Sequence, residues 1–265
     1  MSHRKYIRLK YFGLASAVVC ALAASSAGVQ TTEDLVIRGQ RQVLHLYGPP
    51  GGEPVVVSSG DGGWMHLAPH VAETLASRGF FVVGFDVKAY LESFTSSART
   101  LKPEDEPADY RRLVERAAGA THHKPALIGV SEGAGLSVLA ATDPETRVLI
   151  TGVIGLGLPN LNELGWRWKD SIIYLTHGVP KEPTFNASAL IDKVSPLPLA
   201  LLHSTHDEFA PLADARRMMQ LGGEPKRLWV VGASDHRFSD NLSGFDQSLL
   251  EAIDWVNQNQ PRAGS

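Results

Sequence analysis

Short unbroken apolar runs alternate along this chain with segments that carry apolar residues at helical spacing. Val36 to Tyr47 predicts two short antiparallel strands broken near Arg38-Gly39-Gln40. Pro54 to Ser58 is an apolar run that ends in a polar, glycine-rich turn, and a helix is expected from about Leu67 to Ser77. Phe80 to Phe85 predicts the next buried strand, stopping at Asp86. Pro103 is expected to start a helix reaching about Ala118, with Glu104, Asp105 and Glu106 at its positive N-terminal end. Ala126 to Val130 predicts a strand and Ala134 to Ala141 a small-residue helix. Val148 to Leu156, Leu197 to His203 and Arg227 to Val231 predict three more strands, and Phe245 to Val256 a closing amphipathic helix. Fully apolar strands alternating with helices imply an α/β fold whose mostly parallel sheet is covered on both faces. In such sheets the chemistry sits where loops leave the carboxyl ends of the strands.

Two stretches depart from this rhythm. Pro159 to Ser195 holds Trp166, Trp168, Tyr174 and several prolines without a clear strand pattern, and is expected to be a small insertion or lid over one end of the sheet. At the N-terminus, Arg4, Lys5, Arg8 and Lys10 precede an apolar run from Tyr11 to about Ala24 and the small residues Ser25-Ser26-Ala27. That layout is a secretory signal peptide over residues 1–27, leaving residues 28–265 as one domain; the alternative is an uncleaved membrane anchor. Val19 before Cys20 does not fit a lipoprotein signal, which needs a small residue there.

Composition narrows the picture further. A chain of 265 residues, 43% hydrophobic, is long enough for one sizeable core. Cys20 is the only cysteine, so an exported domain would rest on that core rather than on disulfides. Removing four cations and no anions with residues 1–27 takes the formal charge from −3 to −7. No basic block remains, which argues against a nucleic-acid partner. An acidic body is poorly drawn to an anionic membrane but tolerates a cationic substrate.

The candidate chemistry begins at Gly129-Val130-Ser131-Glu132-Gly133, a G-x-S-x-G pentapeptide between a predicted strand and a predicted helix. This is the nucleophile elbow of an α/β-hydrolase, with flanking glycines that leave room for a sharp turn. A serine hydroxyl needs a base, and His236 lies in a turn after the last strand and before the closing helix. An acid must orient that base. Asp207, just past the Leu197–His203 strand, gives the chain order Ser, Asp, His; Glu208 is its local competitor and Asp86 its distant one. Oxyanion donors are expected from the N–H of Glu132 and, within Ser59-Gly60-Asp61-Gly62-Gly63-Trp64, from Asp61. No lysine follows this glycine-rich loop, which argues against a nucleotide site. His203 and His206 leave a strand without a second ligand cluster, so no metal and no cofactor is expected. Among the other histidines, His66 is the one near the expected site.

With the Ser58-Ser59-Gly60-Asp61-Gly62-Gly63-Trp64 loop in place, the chain resembles the VirJ/AcvB family of bacterial virulence-associated α/β-hydrolases. The similarity continues through Gly84-Phe85-Asp86-Val87-Lys88-Ala89-Tyr90-Leu91, the elbow, and the Asp207 and His236 segments. The resemblance implies a periplasmic enzyme that hydrolyses aminoacylated phosphatidylglycerol, notably its lysyl ester, with brief contact at the membrane surface. Gly60, Trp64, Asp86 and Glu208 are then the expected substrate contacts, and acids near Ser131, Glu132 included, would suit a cationic aminoacyl group. The rival readings are a generic carboxylesterase or lipase and a non-catalytic envelope binding protein.

Overall fold

The computed structural model describes residues 30–96, 99–119, 123–167 and 182–261. The expected signal peptide, Cys20, Trp168 and Tyr174 lie outside them. Among the described residues the centre is an eight-stranded sheet in the order β1-β2-β4-β3-β5-β6-β9-β10. Its strands are β1 (Thr31–Ile37), β2 (Gln40–Tyr47), β3 (Pro54–Ser58), β4 (Phe81–Phe85), β5 (Ala126–Val130), β6 (Val153–Leu156), β9 (Leu199–Ser204) and β10 (Lys226–Val231). Only β2 runs against its neighbours; β3 to β10 are parallel within this sheet.

Strand alternation splits the core in two. Val56, Leu127 and Leu201 face one side, under α3 (Glu106–Ala118) and α4 (Glu132–Thr142). Val55, Val57, Ile128 and Leu202 face the other, under α1 (Leu67–Ser77) and α7 (Leu242–Gln258). Both faces are therefore dry, which is why β3, β4 and β5 contain no alternation at all and are buried throughout. The remaining helices are α2 (Val87–Phe94), α5 (Pro144–Arg147) and α6 (Leu212–Leu221).

Several boundaries differ from the sequence pattern; β1 starts at Thr31 rather than Val36, and the closing helix at Leu242 rather than Phe245. Helix α3 starts at Glu106 rather than Pro103, and the proline of its first turn is Pro107. Helix α2 was not expected; Asp86 caps it, its carboxylate accepting the Ala89 N–H at 3.0 Å. The apolar Val148–Leu156 run yields a strand only from Val153, because α5 and its following turn use the preceding residues. The insertion does contain strands: β7 (Leu161–Glu163) and β8 (Thr184–Asn186) pair antiparallel in a separate two-stranded sheet. Three-residue strands are too short to leave a periodic signal.

The order places β3 between β4 and β5, with β3 feeding a helix on one face and β5 a helix on the other. The two loops thus part at the carboxyl ends of adjacent strands and open a crevice between them.

Candidate active site

Ser131 occupies this crevice, at the turn from β5 into α4. Its backbone sits at φ 50°, ψ −116°, a region that costs a residue with a side chain about 1–3 kcal/mol. The surroundings hold it there. Its N–H donates to the Leu156 carbonyl at 2.8 Å and its own carbonyl accepts the Ala134 N–H at 2.8 Å. A Cβ at Gly133 would lie 2.3 Å from the Ser59 carbonyl oxygen, so only glycine lets α4 start this close to β3. The strain is repaid by a side chain that enters a pocket of about 440 Å³.

His236 lines the same pocket, from the loop after β10. Its Nδ1 lies 2.7 Å from Oδ2 of Asp207, which sits in the loop after β9. The other Asp207 oxygen accepts the N–H groups of Phe209 (2.9 Å) and Ala210 (2.7 Å). Burial alone would raise the Asp207 carboxyl, but the hydrogen bond and charge of His236 and these two amides outweigh it and hold the carboxyl below its usual range. An ionised partner at Nδ1 fixes the proton there and leaves Nε2 as the basic nitrogen. Nε2 is buried and makes no hydrogen bond among the described residues. Gly157, at φ 60°, leaves the space for the ring: a Cβ there would fall 2.5 Å from His236 Cε1 and 2.9 Å from Nδ1.

The residues expected to supply the oxyanion donors both line this pocket. Glu132 is the first residue of α4, so its N–H belongs to the helix-end amides that have no carbonyl within the helix to bond. Asp61 lines the pocket in the loop after β3, where the Gly63 N–H closes a turn onto the Gly60 carbonyl at 3.0 Å. This loop runs against the serine, since a Cβ on Gly60 would meet Ser131 Cβ at 3.3 Å. Hence Ser131, His236, Asp207, Asp61, Glu132 and Gly60 are brought together.

Three expected substrate contacts are not in the pocket. Trp64 is structural: its ring stacks on His45 with centroids 4.7 Å apart, its Nε1 donates to Tyr47 Oη at 3.2 Å, and it fills the space beside Gly84. Asp86 receives the Trp64 N–H at 3.2 Å while capping α2, so its carboxylate braces the loop from behind. Glu208 accepts the backbone N–H of His236 at 2.9 Å and steadies the base rather than a ligand. The Glu132 carboxylate is likewise occupied, accepting the Glu163 N–H at 2.7 Å inside the pocket wall. Burial pushes that carboxyl well above its usual range, the Glu163 amide opposes, and Asp61 and Glu163 push it up further.

Glu163, which no motif marks, reaches the pocket from β7 in the insertion. Arg237 and Phe209 also line it; both lie within two residues of a triad member, a proximity that would have flagged them. The Phe209 ring stands edge-on to His236 at 5.6 Å. His203 is fully buried on β9, where burial foremost, with His236, pushes its ring down to about 4 against the pull of Asp207. Among the described residues no group of three or more His, Cys, Asp or Glu is placed to hold a metal ion.

The architecture has many solved counterparts. Est1E from Butyrivibrio proteoclasticus is 14% identical, with 85% of this chain and 98% of that chain covered and a TM-score of 0.63. A dienelactone hydrolase from Anabaena variabilis ATCC 29413 is 17% identical, covers 89% and 100% of the two chains and scores 0.61. A membrane phospholipase A described as a novel bacterial virulence factor is 12% identical, covers 87% of each and scores 0.63. At such identities the likeness carries the fold alone. No curated protein sequence matches the chain. Residues 53–159, from the start of β3 to just past β6, match the family described as bacterial virulence protein (VirJ).

Proposed function

We propose that the chain is a periplasmic serine hydrolase that cleaves a carboxylic ester, with the lysyl ester of phosphatidylglycerol as its substrate. One observation carries the chemistry: an imidazole held at Nδ1 by Asp207 at 2.7 Å, its Nε2 without a hydrogen bond among the described residues, lines the same pocket as Ser131. Ser131 Oγ attacks the ester carbonyl carbon while His236 Nε2 takes its proton. The amides of Glu132 and Asp61 hold the carbonyl oxygen as it gains negative charge, and each such donor is worth ~3 kcal/mol in related acyl transfers. His236 then returns the proton to the leaving alcohol, and water, activated by the same nitrogen, releases the acid from Ser131. Asp207 keeps its proton-free state throughout and stabilises the imidazolium.

The choice of a cationic acyl group is supported by the pocket's acids and by what the resemblance to the VirJ/AcvB family implies. Since the Glu132 carboxyl is buried against β7, the reading of an ammonium group falls to Asp61. The periplasmic assignment is supported by the basic and apolar layout of residues 1–27.

The test is to incubate the purified protein with lysyl-phosphatidylglycerol and with plain phosphatidylglycerol and measure released lysine. Release from the first, lost by about 10³-fold or more in Ser131→Ala with unchanged circular dichroism, is the expected result. Undiminished release by Ser131→Ala would overturn the mechanism. Hydrolysis of small esters without lysine release would overturn the substrate alone.

A further inference from the structure

We propose that the mouth of the Ser131 pocket docks on a lipid bilayer, with Met65, Leu161 and Phe209 entering its apolar layer. The inference rests on the ester-hydrolase reading and adds the surface through which the substrate arrives. Met65, Leu161 and Phe209 are 51%, 43% and 55% exposed, and all three line the opening above Ser131. Single exposed apolar residues are ordinary on any surface. These three come from separate places in the chain, the loop after β3, the start of β7 and the loop after β9, and meet at one opening. Met65 is followed by His66 at φ 56°, ψ −114°, a strained turn that leaves both side chains outside the core. The fold therefore keeps an apolar side chain at the mouth at a backbone cost.

The position of the patch decides what covers it. It is the rim of the catalytic pocket, so its occupant must also present an ester to Ser131. A protein seated there would close the entrance. Below the rim the pocket is polar, with Asp61, Glu132 and Glu163; on the rim stand the exposed His66 and Arg237. The matching ligand has a polar head bearing the ester and an apolar part that stays at the level of Met65, Leu161 and Phe209. Molecules of that kind gather in bilayers, and a long basic side chain such as Arg237 suits the phosphate level of one. Among the described residues no helix is long and apolar enough to cross a membrane.

Cys20 is the only native cysteine, which allows a site-by-site test in the full chain. In a Cys20→Ser background, Met65→Cys, Leu161→Cys and Val148→Cys are each labelled with a nitrobenzoxadiazole dye and mixed with phosphatidylcholine vesicles. Val148 is 62% exposed near the amino end of β6, away from the pocket. The expected result is a blue shift and about a twofold or greater brightening at 65 and 161, and none at 148. No change at 65 and 161, or an equal change at all three, overturns the proposal. A second measurement compares rates on a vesicle-borne and a water-soluble ester: Met65→Ser with Leu161→Ser should lower their ratio by about tenfold. An equal fall on both esters overturns docking as well. Soluble-ester hydrolysis by the same preparations keeps the two questions apart, because its retention with no docking sinks only the docking, and its absence sinks the hydrolase reading.

Discussion

Asp207 and Glu208 are adjacent acids with different work, and the difference is one of reach. Asp207 touches the imidazole; Glu208 touches only the backbone N–H of His236. Asp207→Asn should lower kcat on a soluble ester by about 10³–10⁴-fold, since an amide no longer holds the imidazole in the required tautomer. Glu208→Gln, which keeps an acceptor for the amide, should lower it by less than about tenfold. A larger loss with Glu208→Gln would transfer the orienting role. The Asp207 carboxyl is depressed in the folded state, so its stabilisation is present above the unfolded value of about 3.9 and lost as pH falls through the folded one. His203 acts in the same direction for the opposite reason: folded, its ring binds protons less readily than unfolded, so stability is eroded as pH drops from about 6.5 toward 4. Urea unfolding of His203→Phe between pH 7 and 5 should show a flatter acid limb than the parent. An unchanged slope would refute the account.

At this scale the triad was legible and its neighbours were not. Ser131, Asp207 and His236 each follow an apolar run, and in a parallel sheet every such run ends on the same side. Trp64 and Asp86 satisfy the same positional rule yet point away from the pocket. Their direction is set by His45, Tyr47 and Gly84, partners that no local pattern connects to them.

Among the elements, α3 carries an unusual cost. Glu106, in its first turn, is fully buried and neither carboxyl oxygen has a partner among the described residues. Burial first, then Asp109 and Asp143, push this carboxyl well above its usual range. A carboxyl raised in the folded state favours folding least when ionised, so the penalty grows as pH rises through the folded value. Glu106→Gln should therefore raise stability by about 1–3 kcal/mol, with the gain larger at pH 8 than at pH 5 in chemical denaturation. A loss of stability at pH 8 would contradict the stated burial cost. The sequence pattern placed Glu106 at a positive helix end, as an exposed acid would be. Amphipathic spacing identified α3, but an acid in the first turn looks the same whether it meets solvent or Tyr90 and Tyr110. Helix α2 escaped for a related reason: its cap, Asp86, also marks the end of a strand, where an acid in this fold is easily taken for site chemistry.

Across the whole molecule, the family match and the triad cover different ground. Residues 53–159 include Ser131, both of the proposed amide donors and Gly157, while Asp207 and His236 come from the loops after later strands. Gly157 joins the two parts, its N–H donating to the Leu202 carbonyl at 2.9 Å while its bare Cα faces the imidazole. Gly157→Ala should lower kcat by about 10²-fold with a smaller effect on KM, because it displaces the base and leaves the pocket mouth untouched. Full activity would show that the ring has another place to stand. The two dry faces and the carboxyl end that carries the site could be read from unbroken apolar runs, whereas the strand order could not. The short pairing of β7 with β8 could not, and with it Glu163 went unseen.

One methyl group at position 157 has a practical meaning beyond its effect on rate. The space that glycine leaves is the seat of the base, so an alanine there would be a plug built into the chain. Such a protein keeps its serine, its entrance and its acidic walls. It would hold an ester about a hundredfold longer before consuming it, and so could be used to fish the natural ligand out of a cell extract.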